Sequence, residues 1–173
     1  SIGGGAAAVN VDFNGGRAEL TVVDSATGNW YIRTIAGTTV ASGLNWGWSA
    51  TAPMHGDYDG DGTNDLATFH PASGNWYLRK LNGTIIGNAN GENWGWSSVT
   101  PVSGDFDGDD QADLAVWDGA TGNWYVRTVQ GANIVVGYNW GFSGCVPVPG
   151  DYDGDGADDL AVYHAATGNW YIH

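Results

Sequence analysis

Cysteine and basic residues are scarce in this chain of 173 residues. The single cysteine, Cys145, excludes a disulfide bond within the chain, and its Gly-Cys-Val-Pro context predicts a small, buried side chain. Only five lysines and arginines oppose nineteen aspartates and glutamates, which leaves a formal charge of −14. A balance this acidic argues against nucleic acid or an anionic membrane as a partner.

Helical periodicity and long apolar runs are missing as well. No stretch repeats apolar residues at helical spacing for long enough to compete with strands, and none is apolar enough to insert into a membrane. No signal peptide is present, and none is expected if the chain is mature. Short apolar runs alternate with turn signals, and 29 residues are glycine. This pattern predicts an all-β fold.

Catalytic constellations are absent too. The chain has four histidines without metal-ligand spacing, and no candidate nucleophile repeats with them. We expect His70 and His164 to lie at the surface, because Asp24 and Asp118 fill the equivalent places in other repeats. Carboxylates that hold a cation are poor general acids, so the chain is predicted not to be an enzyme.

What the chain does have is a repeated ladder of aspartates. Three nine-residue loops, at 57–65, 105–113 and 151–159, carry aspartate at positions 1, 3, 5 and 9. Carboxylates at this spacing, with the backbone carbonyl of position 7, supply the hard oxygen ligands that Ca²⁺ prefers. Without a cation, carboxylates so close together would repel one another. The sequence therefore predicts three calcium sites.

The predicted metal ligands are Asp57, Asp59, Asp61, Thr63 and Asp65 in the first loop, Asp105, Asp107, Asp109, Gln111 and Asp113 in the second, and Asp151, Asp153, Asp155, Ala157 and Asp159 in the third. Glycine at position 4 of every loop, and at position 6 of two of them, allows the backbone to curl around an ion. Asp110 takes the place of the position-6 glycine in the middle loop. Aspartate tolerates the left-handed region better than most residues, so we keep the calcium site at 105–113 and expect it to be the weakest of the three.

A fourth, degenerate copy of the loop begins at Asp12. It is one residue shorter and lacks the middle carboxylates, and Arg17 offers a positive charge in place of an ion. The loops recur 48 and 46 positions apart, and two aromatic motifs recur with them. One is Gly-Asn-Trp-Tyr, at 28–31, 74–77, 122–125 and 168–171, and the other is Asn-Trp-Gly-Trp/Phe, at 45–48, 93–96 and 139–142. A repeat of this length is typical of a propeller or solenoid array.

Each repeat is predicted to hold about four strands. An apolar run after the loop, a turn and an alternating run read as a β-hairpin, and two further runs follow before the next loop ends. We predict a single repeat domain, residues 1–173, forming a β-propeller-type array of about four blade-like units with the last one incomplete. The units are placed at about 9–53, 54–101, 102–147 and 148–173.

These motifs resemble the FG-GAP or VCBS repeats of integrin-α-type β-propellers and related secreted bacterial proteins. The resemblance rests on Asp-x-Asp-Gly-Asp-Gly-x-x-Asp-Leu-Ala, the Gly-Asn-Trp-Tyr that follows and the Trp-Gly that precedes it, and it covers about residues 9–173. It implies that each loop joins the first two strands of a blade and holds one Ca²⁺ in copies two to four, but not in copy one. Weak calcium modules need millimolar calcium, so a secreted or cell-surface location is expected.

The closure of the array is left open by the sequence. The chain ends just after the fourth Gly-Asn-Trp-Tyr, and propellers of the family usually have more blades. Three architectures are compatible with this: a closed four-bladed propeller, a piece of a longer array, and a half-propeller that another chain completes through unpaired strands.

The repeated aromatic and basic residues are candidates for ligand binding or for contacts between units. Trp48, Trp96 and Phe142 are candidate platforms for sugar rings, or alternatively pack between blades. Packing between blades is expected for the tryptophans of the other motif, which are Trp30, Trp76, Trp124 and Trp170. The repeated arginines, expected to pair with acids of the neighbouring unit, are Arg33, Arg79 and Arg127.

The sequence thus predicts a secreted calcium-binding domain that acts as a binding or adhesion module. A glycan is the leading ligand, and a cell-surface protein is the other expected partner. A second possibility is a structural protein whose copies assemble through open blade edges into an oligomer or an extracellular fibre. A third, by resemblance to polysaccharide lyases that use similar propellers, is a non-catalytic part of a polysaccharide-degrading enzyme.

Overall fold

The computed structural model describes the backbone of residues 6–173 and the side chains of residues 12–173. This part of the chain contains sixteen β-strands and no helix. The strands form four antiparallel sheets that follow one another along the chain. The predicted all-β class is therefore confirmed.

The four sheets are built from consecutive strands. The first has the order β1-β2-β3-β4, with β1 (Ala6–Val11), β2 (Glu19–Asp24), β3 (Asn29–Arg33) and β4 (Thr39–Asn45). The second has the order β5-β6-β7-β8, with β9 also paired to β7, and comprises β5 (Ala52–Met54), β6 (Leu66–His70), β7 (Asn75–Arg79), β8 (Ile85–Ile86) and β9 (Glu92–Asn93). The third has the order β10-β11-β12-β13, with β10 (Thr100–Val102), β11 (Leu114–Asp118), β12 (Asn123–Arg127) and β13 (Asn133–Asn139). The fourth has the order β14-β15-β16, with β14 (Cys145–Pro147), β15 (Ala161–His164) and β16 (Asn169–Ile172).

The strand that enters each aspartate loop is the first strand of its sheet. β5, β10 and β14 pair with the strand that leaves the loop, so each sheet begins a few residues before the unit boundary placed from the sequence. Pro53, Pro101 and Pro147 sit in these strands, where a missing N–H is tolerated because the strands lie at sheet edges.

Burial along the strands shows that the sheets cover one another. In β2 the side chains alternate between buried and exposed, as expected for a sheet with one open face. In β6 and β11 the first four side chains are all buried, because these two sheets are covered on both faces. The second and third sheets are therefore the interior members of the row.

Three apolar clusters lie between neighbouring sheets. The first cluster packs Phe13, Trp30 and Ile32 of the first repeat against Leu66 of the second. The other two join the second sheet to the third and the third sheet to the fourth, and the latter contains Cys145, which is buried as predicted. Each repeat thus shares its core with the next one along the chain.

The sheets form a row, and none of them closes on itself. The fourth sheet has three strands, whereas the first and third have four. An all-β array of four antiparallel sheets is what the structure shows, and a propeller stays a prediction.

The segment that follows each of the first three sheets packs closely on that sheet's own hairpin, where two glycines meet. The carbonyl group of Gly95, in the segment after the second sheet, lies against Gly74 in the turn of that sheet's hairpin, and a Cβ atom at Gly74 would be 2.1 Å from that oxygen. Gly74 also has a φ of +71°, which an L side chain rarely adopts. The same approach joins Gly28 to Gly47 and Gly122 to Gly141.

A tryptophan in each connecting segment links one sheet to the next. The indole N–H of Trp76 donates to the carbonyl of Trp94 at 2.9 Å, and the indole N–H of Trp94 donates onward to the carbonyl of Tyr125 at 3.2 Å. The indole N–H groups of Trp30 and Trp46 make the same two hydrogen bonds in the first repeat. Those of Trp124 and Trp140 make them in the third. Trp30, Trp76 and Trp124 are fully buried, as expected, whereas Trp170 is 55% exposed.

Candidate metal centre

Each complete aspartate loop joins the first two strands of its sheet and is organised by its own first aspartate. The carboxylate of Asp57 accepts backbone N–H groups from Gly60 at 2.7 Å, Asp61 at 3.2 Å and Gly62 at 2.6 Å. Asp105 accepts from the three equivalent residues of its loop, and Asp151 accepts from Gly154 and Gly156, whereas the N–H of Asp155 donates to Asp153. The loop therefore curls around its first carboxylate.

Positive φ angles permit this curl, as the sequence predicts. Position 4 is a glycine with φ between +74° and +84° in all three loops. At position 6 of the middle loop Asp110 has a φ of 65° and is the non-glycine residue with positive φ in the described backbone. Aspartate thus replaces the glycine without changing the shape of the loop.

The last aspartate of each loop closes it from the inside. Asp65 accepts the N–H of Tyr58 at 2.8 Å, Asp113 accepts that of Phe106 at 2.8 Å, and Asp159 accepts that of Tyr152 at 2.9 Å. Asp65 and Asp113 are almost completely buried. Burial, reinforced by the neighbouring aspartates, raises the pKa of both carboxyl groups to about 7.

Carboxylate oxygens converge in all three loops. The oxygens lie within 4.8 Å of one another in three groups, which are Asp57, Asp59 and Asp61, then Asp105, Asp107 and Asp113, then Asp151, Asp153 and Asp159. Positions 1 and 3 contribute to every group, and the third member is position 5 in the first loop and position 9 in the other two. The structure thus brings together most of the predicted carboxylate ligands.

The position-7 residues take part through their backbone. The N–H groups of Thr63, Gln111 and Ala157 each donate to the position-5 carboxylate at 2.9 Å. This bond holds the position-5 side chain of each loop in place, and the carbonyl ligand at position 7 stays a prediction.

The donor set suits a hard divalent cation. Every side-chain atom in the three groups is a carboxylate oxygen, with no nitrogen or sulfur donor among them. Several carboxylates on a short flexible loop match the ligand preference of Ca²⁺, whereas Mg²⁺ favours fewer protein ligands and more water. A bound cation would also offset the burial and the repulsion that together raise the pKa of Asp65 and Asp113.

The degenerate first loop is completed by other means. Glu19 replaces the last aspartate: it is buried and accepts the N–H of Phe13 at 2.7 Å. The side-chain amide of Asn14 also donates to Glu19. Arg17 is exposed and belongs to none of the ion pairs found among residues 12–173. The side-chain amide of Asn14 therefore partners the carboxylate of the degenerate loop, where the positive charge of Arg17 was expected to act.

The four loops are joined in a row by backbone hydrogen bonds. The N–H of Asn64, at position 8, donates to the carbonyl of Asp12 in the preceding loop at 2.6 Å. Ala112 donates to Asp57 in the same way at 2.6 Å, and Asp158 donates to Asp105 at 2.5 Å. The first residue of each of the first three loops is thus held both by its own loop and by the next one.

A lysine lies at the first complete loop, and sequence reasoning missed it. The ammonium group of Lys80 contacts the carboxylates of Asp59 and Asp61, the latter at 2.7 Å. Hydrogen bonding by Lys80 lowers the pKa of Asp61 to about 2. The sequence marks this position only by a lysine after Arg79, where the first and third repeats have threonine.

The predicted ligand platforms are partly exposed and partly packed. Trp48, Trp96 and Phe142 are 40%, 39% and 42% exposed. Each ring packs edge-on against a tyrosine of the next sheet's hairpin, as Trp96 does against Tyr125 with ring centroids 5.1 Å apart. One side of each ring therefore packs on the next sheet and the other faces solvent, and the role of these rings as platforms for sugars stays a prediction.

The repeated arginines and histidines have structural roles. Arg127 pairs with Glu92 of the neighbouring repeat at 3.2 Å, as expected, whereas Arg79 lies over the Trp46 ring at 5.5 Å instead of pairing with an acid. His70 and His164 are half-buried and hydrogen-bond the turn hydroxyls after them at 2.9 Å, as Asp24 and Asp118 do in their repeats. Turn capping explains why histidine and aspartate alternate there.

Comparison with known proteins gives only a fold. No protein-family model matches the chain, and no curated protein is significantly similar to it. A solved crystal structure of a protein of unknown function from Bacteroides caccae is similar, with a TM-score of 0.58 and 14% sequence identity. The match covers 99% of this chain and 57% of the other, so the chain spans little more than half of that protein. Among the described residues, no helix is long and apolar enough to cross a membrane.

Proposed function

We propose that this chain is a calcium-binding repeat domain of the FG-GAP or VCBS type, with one Ca²⁺ in each of the loops at 57–65, 105–113 and 151–159. The observation that carries the proposal is the convergence of three carboxylates to within 4.8 Å in every complete loop, and only in those loops among the described residues. Like charges held this close by backbone hydrogen bonds favour the binding of a cation. The first loop, which has Asn14 and Glu19 instead, binds none.

Ion counting tests the calcium proposal. Titration calorimetry and native mass spectrometry are expected to show three calcium ions per chain at millimolar calcium. Asp105→Ala removes the carboxylate that organises the middle loop and is expected to leave two ions. Each occupied site stabilises the folded state by about 2.7 kcal/mol when free calcium is a hundred times its dissociation constant. The melting temperature of the parent chain therefore rises with calcium concentration.

Asp12→Ala is the matched control, because Asp12 holds the first position of the degenerate loop. This variant keeps three ions, and its melting temperature responds to calcium as that of the parent does. A count of four ions, or of none, would contradict the proposal.

The exposed rings support a binding role for the folded domain, as an extracellular adhesion module of the β-propeller type without catalytic activity. Trp48, Trp96 and Phe142 each present one side to solvent at equivalent places in successive repeats. Indole and phenyl rings stack on the C–H faces of sugars, and equivalent sites in a row give avidity for a repetitive ligand. A glycan is therefore the proposed ligand, and a cell-surface glycoprotein is the proposed partner.

A single substitution tests the glycan proposal. Trp96→Ala is expected to weaken binding of a monovalent sugar several-fold and binding to a polysaccharide surface by more, because the sites act together. Its unfolding free energy falls by about 1 kcal/mol, the value of one aromatic pair such as Trp96 with Tyr125. Glycan-array binding and denaturant unfolding measure the two effects.

Ile35→Ala serves as the control, because Ile35 is an exposed apolar residue outside the aromatic motifs. It should change neither binding nor stability. If the parent chain binds no glycan on the array, the proposal of a glycan ligand is wrong, and the calcium proposal is unaffected.

The open edge of the fourth sheet favours a second candidate function, which is assembly. Gly168 has φ +75° like its counterparts, but nothing lies within 4 Å of the position where its Cβ would be. The exposed Trp170 likewise lacks the connecting segment that covers Trp30, Trp76 and Trp124. This surface fits one more Asn-Trp-Gly-Trp segment, from further chain or from another copy. A solution mass that grows with protein concentration would favour assembly over ligand binding.

A further inference from the structure

Lys80 distinguishes the loop at 57–65 from the other two complete loops. Its ammonium group contacts Asp59 and Asp61, which hold positions 3 and 5 of the loop. Both carboxylates belong to the group that converges there, and the third member, Asp57, is engaged by backbone N–H groups of its own loop. The lysine therefore contacts the two carboxylates of the group other than the one that organises the loop, and one of them, Asp61, also accepts the N–H of Thr63.

The other repeats show that a lysine is not needed at this place for folding. Thr34 and Thr128 follow their strands as Lys80 follows β7, and all three residues make the same backbone hydrogen bonds to the turn after them. The hydroxyl groups of both threonines also accept a backbone N–H group of that turn, at 3.0 and 3.1 Å. In the second repeat the side chain of Asn82 accepts the corresponding N–H group, which belongs to Thr84. The side chain of Lys80 is therefore not needed in the turn and reaches the loop.

We propose that Lys80 is a built-in competitor for calcium at the loop 57–65, so that this site fills only at higher calcium concentration than the sites at 105–113 and 151–159. The inference rests on the proposed calcium function and adds an order of filling to it. An ammonium ion held by two carboxylates must leave, or stay as a repelling charge, before a divalent cation binds. Ion pairs at a partly exposed position are individually weak, so the lysine delays the binding of calcium without abolishing it.

The experiment exchanges the residues between repeats. In the parent chain, calorimetric titration is expected to resolve two tighter calcium sites and one that is about tenfold weaker. Lys80→Thr, which installs the residue of the first and third repeats, should bring the weak site up to the affinity of the others. Thr128→Lys, the reciprocal change, should weaken the site at 105–113 by a similar factor, because a lysine there is placed to reach Asp107 and Asp109. Each effect is read as a change in the number of ions bound at a fixed, low free calcium concentration.

A second readout does not depend on calcium. In the presence of a chelator, Lys80→Thr should melt at a lower temperature than the parent, because the carboxylates of Asp59 and Asp61 lose the ammonium group that pairs with them. Lys80→Gln keeps most of the side-chain length without the charge and should reproduce both effects, so a folding defect peculiar to threonine is recognised.

The outcomes separate the two proposals. Three calcium sites of equal affinity in the parent chain, or a Lys80→Thr variant with unchanged affinities, would overturn the role of Lys80 and leave the calcium function in place. Binding to none of the loops, in the parent and in every variant, would overturn both.

Discussion

Gly74→Ala is expected to lower the free energy of unfolding by about 2 to 5 kcal/mol. A Cβ atom would lie 2.1 Å from the carbonyl oxygen of Gly95, which is backbone and has no rotamer with which to move away. The positive φ of +71° adds about 1 to 2 kcal/mol of strain for any residue with a side chain. Chemical denaturation of the calcium-loaded protein measures the loss.

Gly168→Ala separates the two contributions. Gly168 occupies the same place in the fourth repeat with a φ of +75°, but no atom lies within 4 Å of the position of its Cβ. The expected loss is the backbone strain alone, about 1 to 2 kcal/mol. Equal losses for the two variants would mean that the close contact between Gly74 and Gly95 contributes nothing.

Trp76→Ala is the second large effect, with an expected loss of about 3 to 5 kcal/mol. The side chain is fully buried against Phe69, and removing it leaves a cavity in the cluster between the second and third sheets. It also leaves the carbonyl of Trp94 without the indole N–H that it accepts at 2.9 Å. Trp76→Phe keeps most of the volume and should lose about 1 kcal/mol for the hydrogen bond.

The fourth repeat again supplies the control. Trp170→Ala changes the same position of the motif, but Trp170 is 55% exposed and packs mainly on Tyr163. A loss of about 1 kcal/mol is expected. If Trp170→Ala were as destabilising as Trp76→Ala, a part of the chain other than the connecting segment would have to cover Trp170.

The aspartate loops and the strands around them were predictable from local chemistry. Alternating apolar residues on either side of Gly-Asn-Trp-Tyr specify hairpins, and aspartates two residues apart on a glycine-rich loop must converge when the loop curls. Asp110 illustrates the reliability of such rules, since it has the left-handed φ that its position requires.

The backbone hydrogen bonds between repeats, and the contact of Lys80 within the second repeat, were not predictable in this way. The position-8 N–H groups of Asn64, Ala112 and Asp158 belong to different residue types, so no pattern of side chains marks the bonds that they donate. Lys80 was missed because it lies 15 positions beyond the loop that it contacts and follows a strand instead of belonging to the motif. Contacts of this kind depend on where the hairpin folds back, which only the structure provides.

The interface between two repeats has a direction. At the loop end, the later repeat donates to the earlier one, as Ala112 does to Asp57. At the hairpin end, the earlier repeat donates to the later one, as the indole of Trp94 does to the carbonyl of Tyr125. Each face of a repeat thus carries donors at one end and acceptors at the other, opposite to the face that it meets.

Complementary faces offer a way for copies of such an array to associate. A two-fold axis along the line from the loop end to the hairpin end would set donors against donors and acceptors against acceptors, whereas the contact between successive repeats sets each donor against an acceptor. Copies that repeat this contact join head to tail, which produces a closed ring when the rotation per copy divides a full turn and a helical filament when it does not. A symmetric dimer would need a contact other than the one between successive repeats.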